Sequence, residues 1–196
     1  MDGTYRLIQA NPAALATLEE LKAHLNLTGD SEDGNLTRYL KAAHRNVENH
    51  SGRSLLTQTW QLVLPGWPCD SAIRIGRPKL QSITSIKYRD TAEVERTLSA
   101  DDYVVHIFDN DALVGLKYSL AWPSVTLSPY HAVTIEFVAG WTDEEVPEDA
   151  KNAVLLQAGH YYLHREDVLV GESSEIKSAV LVRGADDLMS PYKCYL

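Results

Sequence analysis

Cysteine is scarce in this chain: there are two, Cys69 and Cys194, among 196 residues, far apart and in no CxxC motif. That excludes a disulfide-stapled scaffold and a cysteine-based zinc site. With no secretory signal peptide at the start, both thiols are expected to be reduced and cytosolic. The sequons at Asn26 and Asn35 then carry no meaning. Basic residues are also in deficit, 18 against 27 acidic, for a net charge of −9. A protein that grips phosphates normally shows a basic footprint, so the chain as a whole is not one. Acidity does suit a wall past which a polyanion slides without sticking. No apolar run approaches the roughly 20 residues of a membrane span. There is no GxxxxGK[ST] or GxGxxG, and Ser51-Gly-Arg-Ser54 and Ser173-Ser174 lack the context of a nucleophile elbow. Repeats and low-complexity segments are absent.

What remains is the composition of an ordinary globular protein, 44% hydrophobic and 23% charged, long enough to bury one proper core. Its strongest element is the stretch VPEDAKNAVLLQAGHYYLHRE at 146–166. Pro147, Glu148 and Asp149 open a helix, because proline is tolerated at the first position and carboxylates suit the positive dipole end. At about 100° per residue, Ala150, Ala153, Val154 and Tyr161 form one stripe, widened by Leu155, Ala158 and Tyr162. Leu156 and Leu163 fall on the far side. A helix apolar nearly all round is buried on nearly all sides, in a bundle or between subunits. Val154, Leu155, Leu156, Tyr161, Tyr162 and Leu163 are therefore expected to pack subunits together.

Upstream, the first ten residues lack periodicity and read as an arm, mobile or docked. Thr17 with Glu20 makes a capping-box pattern, placing a short helix from Leu18 to about Leu25, with an earlier start at Asn11-Pro12 as the alternative. A second helix, about 32–50, carries Leu36, Tyr39, Leu40, Ala43 and Val47 on one face. Arg38, Lys41 and Arg45 lie on the other. That basic row is either a solvated face or a surface toward an acidic neighbour or passing DNA. Ser51-Gly52 ends the helix. From Leu55 to Val138 the apolar period changes from 3.6 to 2, giving six or so strands. LLTQTWQLVL stops at Pro65-Gly66, and SITSIKY and VERTL flank a hairpin turn. YVVHIF and LVGLKY flank a second turn at Asp109-Asn-Asp111, and VTIEFV closes the series. The fold class is thus α+β: a helical frame of three to four helices with an inserted antiparallel β-subdomain. The boundaries are 1–16 for the arm, 17–54 and 142–179 for the frame, 55–141 for the insertion and 180–196 for a tail.

After 166 comes a polar, glycine-containing loop, DVLVGESSEIKSA, then a short helix around 185–189 and the end YKCYL. Within the last twenty residues Lys177, Arg183 and Lys193 outweigh Asp186 and Asp187. This apolar, aromatic, slightly basic terminus either docks on a partner or folds onto its own subunit. The docking reading assigns Val180, Leu181, Leu188 and Met189, with Tyr192, Tyr195 and Leu196.

Candidates for chemistry are weak. His160 and His164 stand at the i, i+4 spacing of zinc-binding helices, but Tyr161 fills the place of the glutamate and no third ligand is evident. Asp101 and Asp102 are neighbours on an extended chain and point apart, so they read as turn residues. Asp30, Glu32 and Asp33 imitate a calcium loop, with Gly34 at the wrong offset and no closing glutamate. No catalytic residue, metal or cofactor is assigned.

Four stretches in series nonetheless form a familiar order: LEELKAHLNL; SGRSLLTQTWQLVLPGWP; RPKLQSITSIKYRD with TLSADDYVV; and VTIEFVAGWTDEEVPEDAKNAVLLQAGHYYLHRE. Together they cover most of 18–166, and the chain resembles the head–tail connector, or adaptor, proteins of long-tailed phages and gene transfer agents. The resemblance implies a helical frame with a β-insertion, assembled as a homo-oligomeric ring, expected at twelve subunits, beneath the portal protein. It implies a C-terminal segment reaching into the portal and a second face receiving the stopper or tail-completion protein. DNA would pass through the lumen without specific binding, and the protein would reside in the virion, not a membrane. The C-terminal segment departs most, matching little beyond a short helix and Pro191-Tyr192. Two other functions compete. A DNA-packaging accessory would use Arg38, Lys41 and Arg45 on DNA or on the terminase. A small hydrolase or metal enzyme would use His160 and His164.

Overall fold

The computed structural model describes residues 3–70, 72–77, 79–108, 111–164 and 183–194. Readings that touch Asp109, Asn110, Glu166, Ser173, Ser174, Lys177, Val180, Leu181, Tyr195 and Leu196 lie outside these residues. The chain divides into two compact units, Met1–Asn11 with Leu56–Thr142 and Cys194–Leu196, and Pro12–Leu55 with Asp143–Lys193. The fold is α+β, with four helices and two antiparallel sheets among the described residues.

In the helical unit, α1 spans Leu18–Leu25 and starts at the capping box. The Glu20 amide donates to Thr17 Oγ1 at 3.1 Å and the Thr17 amide to Glu20 Oε2 at 2.7 Å, satisfying two donors that a bare helix end would leave open. Helix α2, Asp33–Ser51, buries Leu36, Leu40, Ala43, Val47 and Ser51, a stripe one turn wide. Its Ser51 hydroxyl donates back to the Val47 carbonyl at 2.8 Å, and Gly52 takes the left-handed cap at φ 67°. Helix α3, Glu148–Leu163, packs against α1, α2 and α4 (Arg183–Met189), which runs into a 3₁₀ turn at Ser190–Tyr192. The small residues Ala150, Ala153, Ala158 and Gly159 are buried and let neighbours approach closely. At Gly159 an added Cβ would sit 3.4 Å from Leu25 Cδ2.

The β unit holds a five-stranded sheet in the order β1-β2-β8-β4-β5 and a three-stranded one in the order β3-β7-β6. The strands are β1 Thr4–Gln9, β2 Gln58–Leu64, β3 Ala72–Ile75, β4 Leu80–Arg89, β5 Glu95–Thr97, β6 Tyr103–Ile107, β7 Ala112–Leu116 and β8 Val133–Ala139. Both expected hairpins form, β4 with β5 and β6 with β7. The strict alternation of β2 and β8, buried at Trp60, Leu62, Leu64, Val133, Ile135, Phe137 and Ala139, turns one face of the large sheet into the core. Ile73, Ile75, Ala112 and Val114 of the small sheet join the same cluster, so the two sheets share it.

Two strands escaped the sequence reading. The N-terminal arm is β1, laid antiparallel along β2, with Tyr5 against Phe137 at a 6.4 Å centroid distance. Six residues with five exposed have no apolar alternation to betray a strand. β3 has only four residues, too short for a period.

Candidate functional site

Helix α3 carries the first predicted surface. Val154 and Leu155 are buried, while Leu156, Tyr161 and Tyr162 are half-buried. Leu163 is 69% exposed, and His160 and His164 are exposed beside it. The helix is therefore not buried on nearly all sides: its buried positions run from Ala150 to Gly159, and its last turn is exposed or half-buried. The His160 and His164 rings lie 4.6 Å apart. Burial, and then the neighbouring His164, holds His160 below the ordinary imidazole value, which disfavours a shared positive charge there. Among the described residues no group of three or more His, Cys, Asp or Glu is placed to hold a metal ion.

The C-terminal segment is the second surface, and here the docking assignment needs correction. Met189 is fully buried in its own chain and Leu188 is half-buried. Tyr192 is pinned: its carbonyl accepts from Arg53 Nε at 3.0 Å, its hydroxyl donates to Asp149 Oδ2 at 3.3 Å, and the Arg53 guanidinium sits 5.9 Å over its ring. Asp186 bridges Lys193 Nζ at 2.6 Å and His50 Nε2 at 2.8 Å. Lys193 first, then His50, hold its carboxyl below the usual range. An apolar residue three positions before a tyrosine reads equally as a hook for a partner or for the subunit itself; Met189 serves the subunit. Residues 183–193 are part of the helical unit, not a free tail.

The third surface is the solvent side of α2, where Arg38, Lys41 and Arg45 are all exposed, as their spacing predicts. Arg38 donates to Asn35 Oδ1 at 2.7 Å and to the Gly34 carbonyl at 3.3 Å.

The β unit has surface hollows. One, about 330 Å³, is lined by Gln61, Lys87, Arg89, Glu95, Tyr130 and Glu136 among others. Glu95 pairs with Lys87 at 3.1 Å and with Arg89 at 3.6 Å, and its carboxyl lies below the usual range chiefly through Lys87. A second, about 430 Å³, is walled by Cys69, Tyr118, Leu120 and Trp122, the last stacked on Trp67 at 4.7 Å. Asp101 and Asp102 lie in the turn before β6, where the Asp101 amide donates to Ser99 Oγ at 3.2 Å.

Sequence reasoning missed a set of exposed apolar side chains at the sheet edges: Leu7 and Ile8 on β1, and Val104, Ile107 and Phe108 on and after β6. The signal was in YVVHIF itself, a strand without the lysine or proline that usually protects an edge.

Residues 15–102 match the family described as Phage gp6-like head-tail connector protein. No curated protein matches the chain. Among solved structures, it is similar to a chain in the neck of an empty GTA particle computed with C6 symmetry and to one in the virion of a native gene transfer agent (GTA) particle. Each is 22% identical, with a TM-score of 0.78, over 98% of this chain and 96% of the other. A chain in the neck of a native GTA particle computed with C12 symmetry is 21% identical, with a TM-score of 0.75 over the same shares. At these identities the likeness establishes the fold.

Proposed function

We infer that the chain is a head–tail connector of the phage gp6-like family, and we propose that it works as a structural adaptor between the portal and the tail. The observation that carries this is the connector match across 15–102, within a fold that follows the neck chains over almost its whole length. A ring of twelve copies, placed in the neck of a phage or gene-transfer-agent particle, is the reading that the C6 and C12 symmetries of those necks favour. Closed rings arise from head-to-tail contacts that repeat around an axis. Net charge −9 favours a channel wall along which DNA passes freely.

Within this reading the exposed end of α3, with Leu163 beside half-buried Tyr161 and Tyr162, meets a neighbouring copy. The portal contact falls to the C-terminal segment, with Val180, Leu181, Leu188, Tyr192, Tyr195 and Leu196 as its candidates. The other end of the ring receives the stopper or tail-completion protein. The chain does no chemistry in this role.

A second reading, a packaging accessory on DNA, draws on the exposed row Arg38, Lys41 and Arg45. It predicts DNA binding that weakens steeply with salt and is lost on charge removal at those three positions. The adaptor reading is tested by producing particles without the chain. Filled heads and complete tails that fail to join support it; joined, transfer-competent particles overturn it.

A further inference from the structure

We propose that neighbouring copies of this chain join by strand addition, the β6 edge of one copy pairing with the β1 edge of the next. The inference deepens the ring reading above and rests on it. Two sheets have four edges, and two of these are blunted. β5 has three residues and presents Glu95 and Arg96, while β3 has four and carries Arg74, ion-paired with Asp111 at 2.9 Å. Charges and short length are how proteins protect an edge. β1 and β6 are less protected: β6 carries no Asp, Glu, Lys or Arg, and β1 carries Arg6 alone, with a register shift between Leu7 and Gln9. They are six and five residues long, and they expose Leu7 and Ile8 on one, Val104 and Ile107 on the other.

The backbone at β6 is open in a definite pattern. Lys117 donates to the Asp102 carbonyl at 2.9 Å and Phe108 to the Asp111 carbonyl at 2.8 Å. The register pairs Val104 with Gly115 and His106 with Leu113. In an antiparallel ladder the bonded pairs alternate, so residues 102, 104, 106 and 108 turn their amides toward β7. Tyr103, Val105 and Ile107 turn theirs away from it, where the described sheet ends.

The two open edges also lie on opposite sides of the β unit, as a head-to-tail contact requires. The Gly76 amide, just after β3, donates to the Tyr5 hydroxyl at 2.7 Å, which sets β1 beside β3. Only 98–102 separate β5 from β6, which sets those two together at the other side. Charge agrees with the pairing: exposed Arg6 sits on β1, and Asp101 and Asp102 lead into β6. A repulsive edge would carry the same sign on both. The occupant is thus a second copy, held by main-chain bonds along the strands and by apolar side chains between them.

The test is sedimentation or native mass of the full chain over rising concentration, for the wild type, Ile107→Pro and Ile8→Lys. Proline at 107 deletes an outward amide and leaves the bonds to β7 in place, so the unit stays folded. Ile8→Lys charges the opposite edge without touching any backbone group. The proposal expects concentration-dependent association in the wild type, weakened by about tenfold or more in each variant at unchanged melting temperature. Association that both variants leave intact overturns strand addition while the ring reading stands. A wild type that remains monomeric at millimolar concentration also overturns it, and leaves the adaptor reading to its own particle test. Should Ile107→Pro unfold, Ile8→Lys alone decides.

Discussion

Replacing Gly140 by alanine tests the β unit at its least forgiving point. Gly140 follows β8 with φ at +119°, a region closed to residues with a Cβ. An alanine Cβ there would run into the Leu56 carbonyl and lie 2.9 Å from the Thr57 nitrogen, all backbone atoms that no rotamer change moves aside. The backbone is also held in place. The Gly140 amide donates to the Lys79 carbonyl at 2.8 Å, its own carbonyl accepts from Gln81 Nε2 at 2.9 Å, and Leu56 bridges to Trp141. Forcing the dihedral costs about 1–3 kcal/mol and the clash about 1–3 kcal/mol more, so the loss is about 2–6 kcal/mol. A loss of about 4 kcal/mol lowers Tm by roughly 8–16 °C in a chain of this size. Thermal and urea unfolding followed by tryptophan emission reads it directly, because Trp60 and Trp141 are buried in the same unit. Gly34→Ala is the control: it lies in the first turn of α2 with nothing within 4 Å of the new Cβ, and should be neutral or stabilise by up to about 1 kcal/mol. A Gly140→Ala protein within about 0.5 kcal/mol of the parent would refute the reasoning, since surface changes alone scatter that much.

Acid should loosen the helical unit. Glu20 is held below the carboxylate range by Lys151, 2.9 Å away, and by the Thr17 amide, and Asp186 by Lys193 and His50. Both are depressed in the folded chain, so their stabilisation is complete above the unfolded value of about 4 and is lost as pH falls through the folded values. Helical circular dichroism against urea should show that slope, and Lys151→Ala should flatten it. Arg53→Ala, removing the buried donor to the Tyr192 carbonyl, should cost about 1.5–3 kcal/mol and expose Lys193 to trypsin, read by limited digestion. Phe137→Ala, at a fully buried position under Tyr5, should cost about 3–5 kcal/mol by urea unfolding.

Elements that carry their own local chemistry were legible in the sequence. The Thr17–Glu20 box fixed the start of α1 at Leu18, and Gly52 fixed the end of α2, because capping needs particular side chains at particular offsets. Hairpins β4–β5 and β6–β7 announced themselves through alternation around polar turns. β1 did not, since an edge strand stabilised by main-chain bonds to β2 needs no apolar face of its own. Helix α3 was readable as a packing element, but its periodicity could not say where burial stops, because that depends on how far its neighbours extend. Met189 shows the same limit: hydrophobicity reveals that a side chain wants a partner, and only the fold reveals that the partner is its own subunit. The pair of open edges on which strand addition is proposed became visible only once both strands were placed.

Native mass spectrometry of the full chain mixed with its cognate portal decides whether the chain is a portal adaptor. An adaptor forms a defined complex with one copy of this chain per portal subunit. A folded chain that leaves the portal's mass unchanged would contradict it.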